Sequence, residues 1–249
     1  MSKILVIGDT CKDVFVYCNC DRLCPEAPVP LLDIVEEEEN LGMAGNVQRN
    51  ILCLGADSEL VTNLNFTFVT KTRYVDKKTN HLFSRIDSKT KIERIQSGQL
   101  QAIDWKSYDA VVISDYNKGF LTVDDIIFIT TKHPLTFLDT KKILGSWATY
   151  ATFIKINTKE FNDSAEKISE YALEDSIIQT LGAGGCKFRD KVYPVKGVDI
   201  KNLSGAGDSF LAALVVKFLE NKSIDEALVA ANEAATIVVQ KKGVSLLKD

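Results

Sequence analysis

The chain has 249 residues, of which 26% are charged and 45% hydrophobic, and its formal net charge is −4. That length can bury a sizeable α/β core. The mildly negative charge excludes a protein that coats nucleic acid, because nothing would neutralise a phosphate backbone over a broad surface.

No apolar run approaches the roughly 20 residues that a membrane-spanning helix needs. The N-terminus, MSKILVIGDT, has only a short apolar run broken by Gly8 and Asp9, too short for a secretory leader, so a cytoplasmic protein is expected. Of six cysteines, Cys11, Cys18, Cys20 and Cys24 crowd the N-terminus at spacings that match no zinc pattern, and His81 and His133 are far away in sequence. Reduced thiols in a cytosolic protein are the expectation.

In chain order, residues 3–7 form an apolar run ended by Gly-Asp, the pattern of a buried strand and turn. Residues 28–35 are β-rich but contain Pro28 and Pro30, which confines them to an edge strand. The acidic run 36–40 then reads as a solvated strand end or loop. Val47, Ile51 and Leu54 repeat at helical spacing over 45–54, with Gly55 as the stop. Strands are expected at 59–63, 66–75 and 80–87.

From residue 108 strand and helix alternate. Strands are expected at 108–116, 135–139, 152–157 and 176–182, helices at about 122–132 and 158–172, and a hairpin at 187–195. A strongly amphipathic helix should run from 207 to about 220, with Phe210, Leu211, Leu214, Val215 and Phe218 on one face. A last helix should cover 224–243 and end at Gly243. This alternation predicts an α/β fold with a doubly wound, mostly parallel sheet. It would form one core domain over 1–249, with a small β lid built from about 14–35 and 66–87. Ligands of such sheets sit at the carboxyl ends of the strands, so the informative residues should lie just after strands.

The sharpest signal is Ser204-Gly205-Ala206-Gly207-Asp208-Ser209. Two glycines around an alanine let several backbone N–H groups converge at the positive end of a helix, a ready anion site. A carboxylate beside it, Asp208, can orient a hydroxyl or accept its proton. The alternative is that Asp208 only caps the helix and the glycines only make a tight turn. No G-x-x-x-x-G-K-[ST] occurs, and the first strand ends in Gly8-Asp9-Thr10 rather than G-x-G-x-x-G. Neither a P-loop enzyme nor a dinucleotide fold is expected.

The segment Leu203 to Phe210 resembles the signature of the ribokinase-like (phosphofructokinase B) carbohydrate kinases. The resemblance implies a catalytic base at Asp208 and an anion hole at Gly205, Ala206 and Gly207. Gly8-Asp9 with Asp13 is similar to the family's N-terminal sugar-binding segment, and Gly42-Met43-Ala44-Gly45-Asn46 to its first signature. Asp13, Gly42 and Asn46 would therefore bind substrate. Asn157-Thr158-Lys159-Glu160 resembles the family's Asn-x-x-Glu, which implies Asn157 at the nucleotide and Glu160 holding Mg²⁺ through water. Thr180-Leu181-Gly182-Ala183-Gly184-Gly185 resembles its nucleotide-binding segment and implies Thr180, Gly182 and Gly185 at ATP, with Asn232 in the helix that lines the adenine pocket. Read from the residues alone, Asn157 is also a plausible helix cap and Glu160 an ordinary first-turn acid.

Within the family, the heptose 7-phosphate kinases of ADP-heptose synthesis are the most similar branch. The segments that carry this are Cys24-Pro25-Glu26-Ala27-Pro28-Val29-Pro30, Lys71-Thr72-Arg73, Ser114-Asp115-Tyr116-Asn117-Lys118-Gly119 and Asp139-Thr140-Lys141. Lys71, Arg73 and Lys118 suit a phosphate already on the substrate, or are plain surface charge, and Asp115 joins the implied substrate-binding set. The implied activity is transfer of the γ-phosphoryl group of ATP, with Mg²⁺, to a hydroxyl of a sugar or sugar phosphate. The alternatives are a kinase of another sugar or a nucleoside, and a catalytically weak sugar or nucleotide binder. Lid edge strands would pair two copies into a homodimer.

Three departures from the family pattern stand out. Met43 replaces the second glycine of the first signature and is expected to narrow the sugar pocket or change its preference. The stretch between Val61 and Lys71 is shorter than the family's. The chain ends soon after Gly243-Val244-Ser245.

Overall fold

The computed structural model describes residues 2–241 and 247. Its organising strand is β1 (Lys3–Gly8). Ile4 and Val6 pack into the apolar layer on one side of the sheet, Leu5 and Ile7 into the layer on the other, and all four are fully buried. A strand apolar on both faces is what a parallel sheet covered by helices on both sides requires. β1 pairs in parallel with β4 (Asp57–Val61) and β7 (Ala110–Asp115). β8 (Thr136–Thr140), β9 (Phe153–Asn157) and β10 (Ile177–Thr180) continue the parallel set. β11 (Cys186–Phe188) and β12 (Lys191–Tyr193) close that edge as an antiparallel hairpin. The strand order is β12-β11-β10-β9-β8-β7-β1-β4.

Helices α1 (Ala44–Cys53), α5 (Ala206–Asn221) and α6 (Ile224–Val239) cover one face, through Val47, Ile51, Phe210 and Ala227. The short α2 (Ser97–Gln101), α3 (Val123–Lys132) and α4 (Thr158–Glu170) cover the other, through Leu100, Ile126, Ile129 and Ile168. Residues 208–216 of α5 are buried without a break. This helix lies against both α1 and α6 as well as the sheet, so through 208–216 it has no solvent face, and its last turn, with Lys217 and Glu220, reaches water. α6 ends at Val239, and Gly243, the expected stop, lies outside the described residues. Among the described residues no helix is long and apolar enough to cross a membrane, and all six cysteines are free.

The lid is a second sheet in the order β3-β2-β5-β6, made of β2 (Thr10–Asn19), β3 (Asp33–Met43), β5 (Thr70–Asp76) and β6 (Leu82–Asp87). Its boundaries differ from the expected 14–35 and 66–87. Residues 28–32 are not in a strand and contribute only the isolated bridge Leu23–Pro30, whereas the acidic run 36–40 is the middle of β3. Glu36 to Glu39 are exposed on both faces of this edge strand. No alternation marks it, and the charges blunt an otherwise open edge. Lys12 and Lys77 partly offset them, at 2.5 Å from Glu39 and 3.0 Å from Glu36.

The shortened stretch after Val61 leads directly from the edge strand β4 into the lid. Thr62 Oγ1 donates to the Gly8 carbonyl (2.7 Å), and Asn63 Oδ1 accepts from the Thr10 amide (2.9 Å). These bonds tie the crossing to the β1–β2 junction. Residues 66–68 make a single 3₁₀ turn before β5.

Met43 sits where β3 becomes α1, at φ 61° and ψ −131°, a region that side chains avoid. Its side chain joins the core with Leu5, Ile7 and Cys11, which corrects the expectation that it narrows the sugar pocket. Glycine here would relieve strain of about 1–3 kcal/mol and forfeit a buried side chain worth about 2–5 kcal/mol. Met43→Gly should therefore lose about 1–2 kcal/mol net, seen as a lower urea midpoint at unchanged slope.

Candidate active site

Gly205 caps α5 at φ 81°, a left-handed turn that glycine adopts freely. The turn leads directly into the first turn of α5, whose N–H groups, those of Gly207 and Asp208 among them, have no intrahelical acceptor. At Gly207 the constraint is space, because a Cβ would come within 3.0 Å of Lys155 Nζ. Free amides, the positive helix end and an adjacent ammonium together make an anion-binding corner.

Asp208 is the third residue of α5 and only 4% exposed. Its Oδ2 accepts from Asn46 Nδ2 of α1 (2.9 Å) and its Oδ1 from the Tyr116 hydroxyl (2.7 Å). Asn46, 1% exposed, is steadied in turn by Asn50 Nδ2 at 3.2 Å. Burial pushes the Asp208 carboxyl above the usual aspartate range. The two hydrogen bonds and Lys155 act against burial, while Asp139 adds to it.

Tyr116 belongs to the loop after β7, which two buried carboxylates hold. Asp9 accepts from the amides of Tyr116 (2.7 Å) and Phe120 (3.2 Å). Asp115 accepts from Lys142 Nζ at 2.8 Å on each oxygen, from Thr140 Oγ1 at 2.6 Å and from the Asn117 amide at 3.1 Å. Burial, and then the nearby Asp115, raise the Asp9 carboxyl. Asp115, expected from the resemblance to bind substrate, is thus fully buried and saturated by its own chain. It shapes the loop from inside. Lys118, on the same loop, is exposed.

Asp139 and Lys155 face each other across β8 and β9 as register partners and form an ion pair at 2.7 Å. The second Asp139 oxygen is buried without a hydrogen bond, 3.9 Å from Lys141 Nζ. Lys141 also pairs with Glu160. Asn157 and Glu160 form a reciprocal cap on α4. The Glu160 amide donates to Asn157 Oδ1 (2.9 Å), and the Asn157 amide and Nδ2 donate to the Glu160 carboxylate (2.8 Å each). The capping reading of this motif is therefore realised while Asn157 still faces the cleft.

The cleft has a volume of about 610 Å³, and Tyr116, Lys141, Asn157, Thr180, Gly207 and Asp208 line it. It adjoins a more apolar cavity of about 220 Å³ that gathers Thr180, Gly182, Gly185, Ala206 and Asn232. Every residue expected at the nucleotide therefore lies on these two connected spaces. Asn232 Nδ2 donates to the Tyr193 carbonyl at 2.8 Å, which fixes the cavity wall.

On the lid side, Asp13 and Arg73 form a largely buried ion pair. Gly42 backs it, since a Cβ there would meet Asp13 Oδ2 at 2.5 Å and Cys11 Sγ at 2.8 Å. Lys71 Nζ and Lys141 Nζ lie 5.1 and 5.5 Å from the centre of the Tyr116 ring. Arg85, the register partner of Arg73, is held by Asp87 through two bonds of 2.7 and 2.6 Å. Sequence reasoning assigned no role to Tyr116, Lys141, Lys155, Asp139 or Arg85. The register of β8 and β9, invisible in the chain, is what joins the Asp139–Lys155 pair.

Among the described residues no group of three His, Cys, Asp or Glu side chains converges on a metal position. An ion that keeps most of its water, as Mg²⁺ does, needs no such cluster. Glu160, held by Asn157 and Lys141 at the start of α4, is a hard oxygen donor of the kind that the water of such an ion meets, whereas the unpartnered Asp139 oxygen is sealed from solvent.

Fold and cleft together define an α/β enzyme built to hold an anionic group against a carboxylate. A profile of the pfkB family carbohydrate kinases matches residues 98–249. The bifunctional protein HldE of Helicobacter pylori J99 is 30% identical over 298 aligned positions, covering 99% of this chain and 64% of that protein. This chain therefore spans less than two thirds of that relative. Escherichia coli phosphofructokinase-2, solved with potassium, superposes with a TM-score of 0.75 at 15% identity, over 99% of this chain and 95% of that one. Arabidopsis thaliana ribokinase, complexed with ribose and ATP, gives 0.68 at 16%, over 98% and 95%. The chain belongs to the pfkB family of carbohydrate kinases, and its fold is ribokinase-like.

The loop network gives a stability test. Lys142→Met would leave Asp115 charged and unpaired in the interior, a defect that costs about 3–5 kcal/mol. Urea unfolding should show a loss of that size.

Proposed function

We propose that the chain transfers the γ-phosphoryl group of ATP, with Mg²⁺, to a hydroxyl of a phosphorylated sugar, and that heptose 7-phosphate is the first candidate acceptor. The observation that carries this reading is Asp208, a buried carboxylate beside the anion-binding corner of α5, at the mouth of a cavity suited to a base and ribose. The likeness to the HldE relatives, and the segments shared with heptose 7-phosphate kinases, support the choice of sugar. ATP as donor implies a cytoplasmic enzyme.

In this reading Asp208 orients the acceptor hydroxyl and takes its proton as the bond to phosphorus forms. Its raised pKa brings it nearer to a useful base than an exposed aspartate would be. Gly205, Ala206 and Gly207 present the helix end to the transferring group, and Lys155 adds a fixed positive charge. Asn46 holds the carboxylate in place. Asp13, oriented by Arg73, offers an acceptor to sugar hydroxyls. Among the described residues Lys71 has no carboxylate at ion-pair distance, and with the exposed Lys118 it is a cation available to a phosphate on the acceptor. Mg²⁺, when bound, neutralises charge on the nucleotide phosphates. Glu160 would hold it through its water, and Asn157 and Thr180 line the cleft that adjoins the nucleotide cavity.

The test is ADP release across a panel of sugars and sugar phosphates. Heptose 7-phosphate should support turnover, and Asp208→Asn should lower kcat by about 10²- to 10⁴-fold, the usual contribution of a positioned base. Lys71→Met should raise KM for the phosphorylated acceptor by about tenfold or more, as loss of one charge-assisted contact does. Equal turnover of the sugar without its phosphate would point instead to a kinase of simple sugars.

A further inference from the structure

Each oxygen of the Asp208 carboxylate already accepts a hydrogen bond from the protein. Asn46 Nδ2 serves Oδ2 at 2.9 Å and the Tyr116 hydroxyl serves Oδ1 at 2.7 Å. The two donors differ in kind. Asn46 is an amide buried in α1 and tied to Asn50, so it has no freedom to leave. Tyr116 is a hydroxyl at the wall of the open cleft, and an O–H donor to Asp208 is what the acceptor sugar must itself become. The hydroxyl of Tyr116 therefore stands where an acceptor hydroxyl would bond.

We propose that Tyr116 is a positioning residue that keeps water from acting as the phosphoryl acceptor, its hydroxyl holding the acceptor's place on Asp208 Oδ1 until a sugar hydroxyl displaces it. This rests on the kinase reading above. Water is the competitor that any kinase must exclude while ATP is bound, and a carboxylate that is poised as a base will activate whichever hydroxyl reaches it. The structure holds the tyrosine firmly enough for this duty. Asp9 fixes its backbone amide, and Lys71 and Lys141 stand over its ring, contacts worth a fraction of a hydrogen bond each when exposed and more when desolvated.

The same two lysines give a means of release. Lys141 lines the cleft, where Glu160 also holds it, and Lys71 stands over the ring of the cleft residue Tyr116; both are ammonium groups that phosphates of an incoming ligand attract. Binding of a phosphorylated sugar would draw them from the ring as it delivers the hydroxyl that replaces the phenol. No covalent change is involved, only the exchange of one O–H donor for another on Oδ1.

Tyr116→Phe tests this in the whole chain, with ADP release and phosphorylated sugar measured in the same reaction. ADP formed per sugar phosphorylated should be near one in the wild type and should rise in the variant, and ADP release without sugar should increase about tenfold, the advantage that one hydrogen bond to a charged group withholds from water. General damage to the site would lower hydrolysis and transfer together and leave their ratio unchanged, and that result would overturn the proposal. Failure of the kinase reading looks different, because the wild type itself would then form no phosphorylated sugar. A second measurement needs no turnover. Urea unfolding of Tyr116→Phe, Asp208→Asn and the double variant should be non-additive, whereas additive losses would mean that the contact does not form in solution and would also overturn the proposal.

Discussion

The rest of the site is arranged around one buried carboxylate at the start of α5. Placing an ionised group in the interior is costly unless donors surround it, and Asp208 draws them from separate parts of the chain: Asn46 from α1 and Tyr116 from the loop after β7. The penalty is only partly offset, which is why burial still dominates the direction of its pKa shift. A carboxylate in that condition takes a proton more readily than one on the surface, and it stands at the carboxyl ends of the strands, where doubly wound sheets bind their ligands.

Around this group, charge is used for placement more than for stability. Asp115 with Lys142 and Asp139 with Lys155 are buried pairs whose net stabilisation is expected to be small. What they do is fix geometry. The first pair, with Asp9, sets the loop that carries Tyr116. The second sets an ammonium beside Gly207. Asp139 and Lys155 are register partners on neighbouring parallel strands, and Asp115 ends β7 against Lys142 just beyond β8, so the rigidity of the sheet passes to the site.

The sequence made some of this legible and hid the rest for physical reasons. The glycine-flanked start of α5 is local, so its anion-binding character was readable from six consecutive residues. The strands from β7 onward were readable as short apolar runs within a residue or two at each end. β3 was not, because Glu36 to Glu39 are exposed on both faces and leave no hydrophobic alternation. α5 looked amphipathic because its apolar spacing is helical, but contact with α1, α6 and the sheet buries it throughout residues 208–216. Asp115 was placed with the substrate because its segment resembles a family motif. Its partners Thr140 and Lys142 lie 25 and 27 positions away, and only the β7–β8 pairing brings them to it. Met43 departed from a glycine signature, yet the strain it bears is repaid in the core, which no local pattern reveals.

The pH dependence of kcat/KM for the phosphorylated acceptor tests the role of Asp208 most directly. A raised Asp208 pKa means that the carboxyl is protonated, and unable to accept the acceptor's proton, at a higher pH than an ordinary aspartate. The acid limb should therefore fall through a single ionisation above the reference value of about 3.9 for a free aspartate, and it should be absent from the residual activity of Asp208→Asn. An acid limb that persists unchanged in that variant would contradict the assignment of Asp208 as the base.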